Sequence, residues 1–126
     1  MDGHLYHLIK EVKMEVEELL KDFEETAIQQ FEVQDTGNYK KSDRLLEKIN
    51  KISKKLHGIG EIDTLKILLN HSHVNVRFLA ACSLLPFFTK ESEKVLEEIA
   101  CLGKHPAFTA KMTLQEWRKG NIKFNY

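Results

Sequence analysis

Residues 71–85 read HSHVNVRFLAACSLL, and their two histidines pose the first chemical question. His71 and His73 stand two apart, so on a turn both rings could reach one metal ion. A zinc site needs further Cys, His or carboxylate ligands at set spacings, and no Cys or carboxylate completes a familiar set here. His4, His7 and Glu11 are a second candidate set: steps of three and four place them on one helical face. Helix surfaces carry such groups by chance, and we expect no metal at either place. Nucleophilic chemistry fares no better. There is no Ser/His/Asp constellation, no nucleophile elbow and no Gly-rich phosphate loop; GIGE at 58–61 has two glycines, but no strand precedes it. Cys82 lies in an apolar helical context, without the electropositive surroundings that make a thiolate. The acidic pairs Glu24/Glu25 and Glu97/Glu98 read as solvated helix faces. The expectation is therefore no catalytic residue, no cofactor and no metal, with His71 and His73 serving a turn.

Charged and aromatic residues leave a binding role open. Lys41, Arg44, Lys48, Lys51 and Lys55 step by three and four, which makes one basic stripe able to meet phosphates or an acidic protein. The competing reading is a solvated face opposite the apolar positions Leu45, Ile49, Ile52 and Leu56, offset within the fold by an acidic first helix. Trp117 and Arg118 are residue types that often anchor interfaces. Trp117 also continues the stripe of Ala107, Ala110 and Leu114, and core packing is the expected role.

The bulk properties narrow the classes further. The chain has 126 residues, which suits one domain, with 19 basic and 19 acidic residues. Zero net charge gives no overall field for nucleic acid or an anionic membrane. No apolar run approaches the roughly 18 residues a membrane span needs. The start, MDGHLYHLIKEVKMEVEE, carries acids throughout and lacks a signal-peptide pattern, so a cytoplasmic protein is expected. Cys82 and Cys101 read as small buried hydrophobes rather than a disulfide.

The elements that must position these residues all read as helices, because no segment alternates apolar and polar residues. In residues 1–35, Leu5, Leu8, Val12, Val16, Leu19, Phe23, Ala27 and Phe31 form one stripe, on one long helix or two. A second long helix occupies 38–58, and Gly58 and Gly60 can end it. A short helix follows, with Ile62, Leu65, Leu68 and Leu69 facing inward. Ser72 is the expected N-cap of the next helix, which Pro86 stops. Thr89 is expected to cap a fifth helix, which Gly103 ends. Pro106 opens a sixth, Gly120 closes it, and 121–126 is a tail.

The segments 61–85 and 91–120 repeat one another at an offset of 30. Leu65 falls on Val95, Leu69 on Ile99, Phe78 on Phe108, Ala80 on Ala110, Cys82 on Met112 and Leu84 on Leu114. Each helical pair has an apolar face that it cannot bury alone, so stacking makes the core continuous. LKILLNHSHVNVRFLAACSLL resembles a HEAT or armadillo-type repeat, with Leu65, Leu68 and Leu69 on the first helix and Val76, Arg77, Ala80, Ala81 and Leu84 on the second. Such repeats often carry Asp in the turn where this chain has Asn75, which leaves the polar partner of Arg77 open. Over about residues 16–120 the chain also resembles a small bacterial family of helical-repeat proteins, through LLKDFEETAIQQ, GNYKKSDRLLEKI, VRFLAA and AKMTLQEWRKG. That family carries no activity to transfer.

The sequence thus predicts an all-α fold: a single domain, a short α-α superhelix of about six helices in HEAT/armadillo-like helical pairs. The expected role is non-enzymatic protein binding in a bacterial cytosol. Its most concrete form is an immunity protein that binds a toxin domain, by analogy of build alone. The alternative is a nucleic-acid-binding repeat using the 41–55 stripe. A third reading is an enzyme or metal-binding protein using the N-terminal His/Glu face.

Overall fold

A computed structural model describes residues 3–124. Six helical segments make up the fold, and no strand occurs among the described residues: α1 (Gly3–Gln34), α2 (Tyr39–Gly58), a 3-10 helix (Ile62–Asn70), α3 (Val74–Leu84), α4 (Thr89–Ala100) and α5 (Ala107–Arg118). The N-terminal stripe belongs to one unbroken helix. Its 32 residues span about 48 Å at the usual rise per residue.

α1 and α2 pack against each other and run antiparallel. Three polar contacts mark the register: Gln30 with Ser42, Asp22 with Lys48, and Glu15 with Lys55. α3 packs on the 3-10 helix and on α4, α4 packs on α5, and α1 also reaches α3 and the 3-10 helix. The shared core is built from Phe23, Ala27, Ile49, Leu56, Leu65, Val76, Ala80, Leu84, Leu96, Ile99, Ala110 and Leu114. Ala80 and Ala110 are both fully buried, as the 30-residue correspondence requires.

A glycine of positive φ follows each of the three helices that glycine was expected to end: Gly60 after α2, Gly103 after α4 and Gly120 after α5. Gly60 and Gly120 have φ of 76° and 77°, the left-handed conformation glycine adopts without a Cβ clash. After each, the chain closes with the paired bonds of a Schellman stop: Glu61 N–H to Leu56 O and Gly60 N–H to His57 O, then Asn121 N–H to Glu116 O and Gly120 N–H to Trp117 O.

Several expectations need correction. The short third helix is 3-10, not α. Helix α3 is capped by His73 rather than Ser72. Thr89 is the first residue of α4, and its hydroxyl donates back to Leu85 O instead of capping. Pro106 is the N-cap of α5 rather than its first residue. Cys101 is exposed, because it lies just past the end of α4. Leu5, Leu8 and Val12 are not in the core: residues 3–14 of α1 are all exposed, since the helix runs on past the body that covers its other half. Phe108 is 75% exposed where Phe78 is buried. Among the described residues no helix covers it.

Candidate protein-binding surface

The turn before α3 has explicit chemistry. His71 Nε2 lies 2.7 Å from Glu24 Oε1, and His71 Nδ1 accepts from the His73 N–H at 2.9 Å. His73 Nδ1 in turn accepts from the Asn75 N–H at 3.1 Å. Each ring therefore spends its Nδ1 lone pair on a backbone donor at the start of a helix, where donors lack partners. A His71 whose Nδ1 accepts carries its proton on Nε2, directed at the Glu24 carboxylate. Neither ring keeps Nδ1 for a metal or a substrate. The pKa of His73 is lowered, chiefly by desolvation, then by the charges of His71 and Arg77, with Glu32 opposing.

Arg77 and Asn75 complete the turn. Arg77 Nη1 donates to the carbonyls of His71 and Ser72, at 2.7 and 3.1 Å, so the loop backbone is the partner the sequence left open. Asn75 is buried, and its Nδ2 donates to Ala27 O at 2.7 Å and Gln30 Oε1 at 2.8 Å. Gln30 Nε2 donates onward to Ser42 Oγ and Gln34 Oε1. An aspartate at 75 could accept but not donate to those two oxygens. The network ties α1, α2 and α3 together, and Asn75, Gln30 and Ser42 within it are buried.

The basic stripe is partly neutralised within the fold. Lys41, Arg44, Lys48, Lys51 and Lys55 are exposed, but Lys48 sits 3.0 Å from Asp22 and Lys55 3.1 Å from Glu15. Arg44 Nε donates to Lys40 O. Arg118 bonds Glu93 and Glu97 of α4, and these bonds, Glu97 first, push its guanidinium pKa further up. Trp117 is partly buried against the core and meets Phe124 edge to face, 6.1 Å between centroids. At the N-terminus His7 approaches Glu11 at 3.8 Å on the open helix surface. Among the described residues no group of three or more His, Cys, Asp and Glu could hold a metal ion. Burial pushes the Cys82 thiol up to about 12, the opposite of nucleophile activation.

The concave surface lies elsewhere, along the 3-10 helix. Two adjoining hollows of about 490 and 440 Å³ share Leu69, Asn70 and Glu98. The first adds Lys66, Ile67, Glu91 and Lys94; the second adds His71, Arg77 and Leu102. Ile67 is 70% exposed at one end and Leu102 47% exposed at the other. The trough is apolar at its ends and charged between them, with both signs present. Lys66 bridges it, 3.4 Å from Glu91 and 4.3 Å above the Phe88 ring. Sequence reasoning passed over these residues. Ile67 and Leu102 did carry a signal: Ile67 is a large apolar residue off the buried stripe of the 3-10 helix, and Leu102 is one just past the end of α4. A third and larger hollow, about 540 Å³, begins at Ile67 and runs along α1 past Leu8, Ile9, Val12, Val16 and Leu20.

No family model and no curated protein matches this chain. One solved structure is similar in fold: the crystal structure of the protein RPA1889 from Rhodopseudomonas palustris CGA009, with a TM-score of 0.78 and 22% identity over 86% of this chain and 92% of that one. At that identity the likeness speaks to the fold alone. No helix among the described residues is long and apolar enough to cross a membrane.

Proposed function

We propose that this protein is a non-enzymatic protein-binding module of HEAT-like helical pairs, acting in a bacterial cytosol. The observation that carries the reading is the trough along the 3-10 helix and α4, with Ile67 and Leu102 exposed at its ends and Lys66, Lys94, Glu91 and Glu98 between them. Exposed apolar anchors around mixed charge are what a partner protein meets at a specific interface. The turn histidines serve helix starts, which favours binding over catalysis. The ion pairs of Lys48 and Lys55 weigh against the nucleic-acid alternative. The most concrete form of the reading is an immunity protein that occludes a toxin domain, and it rests on analogy of build.

The test is affinity capture from the native host with the wild-type chain beside Leu102→Glu and Lys94→Glu. The expected result is one protein that the wild type retains and both variants lose, and whose activity falls when the purified chain is added. Equal capture by all three chains would remove the trough from the proposal. Recovery of nucleic acid, lost on Lys51→Glu, would favour the alternative.

A further inference from the structure

The sequence keeps α1 apolar on one side well beyond the body that α1 packs against. At 100° per residue, Leu5, Leu8, Ile9 and Val12 lie on the same stripe as Val16, Leu20 and Phe23. Phe23 is fully buried and Val16 nearly so, while Leu8 is 45%, Ile9 53% and Val12 41% exposed. Every residue from 3 to 14 is exposed. An isolated helix of that length is marginal in water, and a purely solvated arm gains nothing from a continuous apolar stripe. Beside the arm's root lies the hollow of about 540 Å³ lined by Leu8, Ile9, Val12, Val16, Leu20 and Ile67, with Lys13 and Glu17 on its rim. The side chains left open on the arm and at Ile67 amount to an apolar patch on the order of 600 Å², at the upper limit for a monomer's largest patch.

We propose that the occupant of this hollow is the α1 arm of a second copy, laid antiparallel in a two-fold homodimer. The arm is itself what the hollow fits: a helix with an apolar stripe and alternating charge beside it. A two-fold axis near residue 14 sets Val12 against the second copy's Val16 and Leu8 against its Leu20, and carries Leu5 toward its Thr64 and Ile67. In antiparallel helices the same flank meets the same flank. Lys13 and Glu17 share a flank at i and i+4, so Lys13 of each copy faces Glu17 of the other, twice by symmetry. Covering both patches buries on the order of 1,200 Å², the lower bound for a specific interface, and a closed two-fold contact leaves no surface to propagate. This dimer covers Ile67, which the hollow shares with one end of the trough, and leaves the Leu102 end of the trough open.

Sedimentation equilibrium of the purified full chain at about 100 μM decides the matter, a concentration at which a micromolar dimer is nearly complete. The wild type should sediment at twice the chain mass. Leu8→Glu and Val12→Glu alter side chains that are open in the single copy, so each should sediment as a folded monomer with unchanged helical circular dichroism. Lys13→Glu should weaken the dimer at least tenfold, and adding Glu17→Lys in the same chain should restore it. A wild-type monomer, or a dimer indifferent to both Leu8→Glu and Val12→Glu, overturns the proposal. So does a monomer that takes up an unrelated amphipathic helical peptide in the hollow.

Discussion

At the scale of single residues the turn before α3 is held by donors that have no substitute. Asn75 gives both protons of its amide to oxygens of α1, and a buried acceptor left without a donor costs about 1–3 kcal/mol. Asn75→Asp should destabilise by about 3 kcal/mol or more, because it sets a carboxylate against two acceptors in the interior. Chemical denaturation at neutral pH measures the loss. Acidification should return part of it, since a protonated carboxyl can donate to one of the oxygens. His73 makes an opposite pH prediction for the wild type. Its folded pKa is lowered, while in the unfolded chain it titrates near 6.5. Above that value both states are neutral and the cap is intact. As the pH falls below it, the unfolded chain takes up the proton first and stability drops until the folded ring also titrates. His73→Asn keeps a capping oxygen and has nothing to titrate, so its stability should be flatter between pH 7 and 5. An equally steep profile in the variant would place the titration elsewhere. Ser92 completes the set: its hydroxyl is buried and finds no partner among the described residues, so Ser92→Ala should be neutral or slightly stabilising.

At the scale of elements, positions 30 residues apart correspond only where a neighbouring helix covers both. Leu84 and Leu114 are both buried, but Phe78 is buried and Phe108 is not. Leu84→Ala should cost about 2–5 kcal/mol by leaving a cavity, and Phe78→Ala about 3–5 kcal/mol. Phe108→Ala should fall within about 0.5 kcal/mol of wild type, as surface changes do. Ala80→Leu should cost about 1–3 kcal/mol by overpacking a fully buried site. Denaturation midpoints rank the four, and a costly Phe108→Ala would mean that the end of the stack is not open. The stripes of α2, α3 and α5 were legible because apolar steps of three and four have one reading, and Gly60 and Gly120 announce their stops. The 3-10 geometry was not read from the sequence: Ile62, Leu65 and Leu68 step evenly by three, but the neighbouring Leu69 also fits an α-helix. The polar core was not legible. Gln30, Ser42, Ser53 and Ser83 break the apolar spacing, yet they are buried, and each makes a hydrogen bond across helices, as in Ser53 with Ser83 at 3.0 Å. Such pairing depends on helix register, which apolar periodicity does not encode. The trough was missed for a related reason, since it joins residues of the 3-10 helix to others on α4 and just past its end.

At the scale of the whole molecule, charge decides which macromolecule the surface can hold. The chain has equal numbers of acids and bases, and the one stripe that could break this balance lies against the acidic side of α1. Two of its five cations, Lys48 and Lys55, are in ion pairs with Asp22 and Glu15. These pairs are exposed and weak in themselves, but a phosphate must displace the carboxylate before it gains the lysine. That leaves Lys41, Arg44 and Lys51 as ready contacts. Each neutralised phosphate contributes a slope of about −0.9 in log affinity against log salt on duplex DNA. Three contacts therefore give a slope of at most about −3, with little free energy at physiological salt. Fluorescence anisotropy with labelled duplex and single-stranded probes should find no binding tighter than micromolar. Asp22→Asn and Glu15→Gln together release both lysines and should raise the affinity and steepen the salt slope. If the wild type already binds at nanomolar affinity and Lys51→Glu abolishes it, the stripe is the working surface and the ion pairs with α1 open on binding. If instead the double variant gains affinity while the wild type stays weak, α1 acts as a built-in competitor that keeps phosphate off this face, an outcome that favours the proposed protein-binding trough along the 3-10 helix and α4.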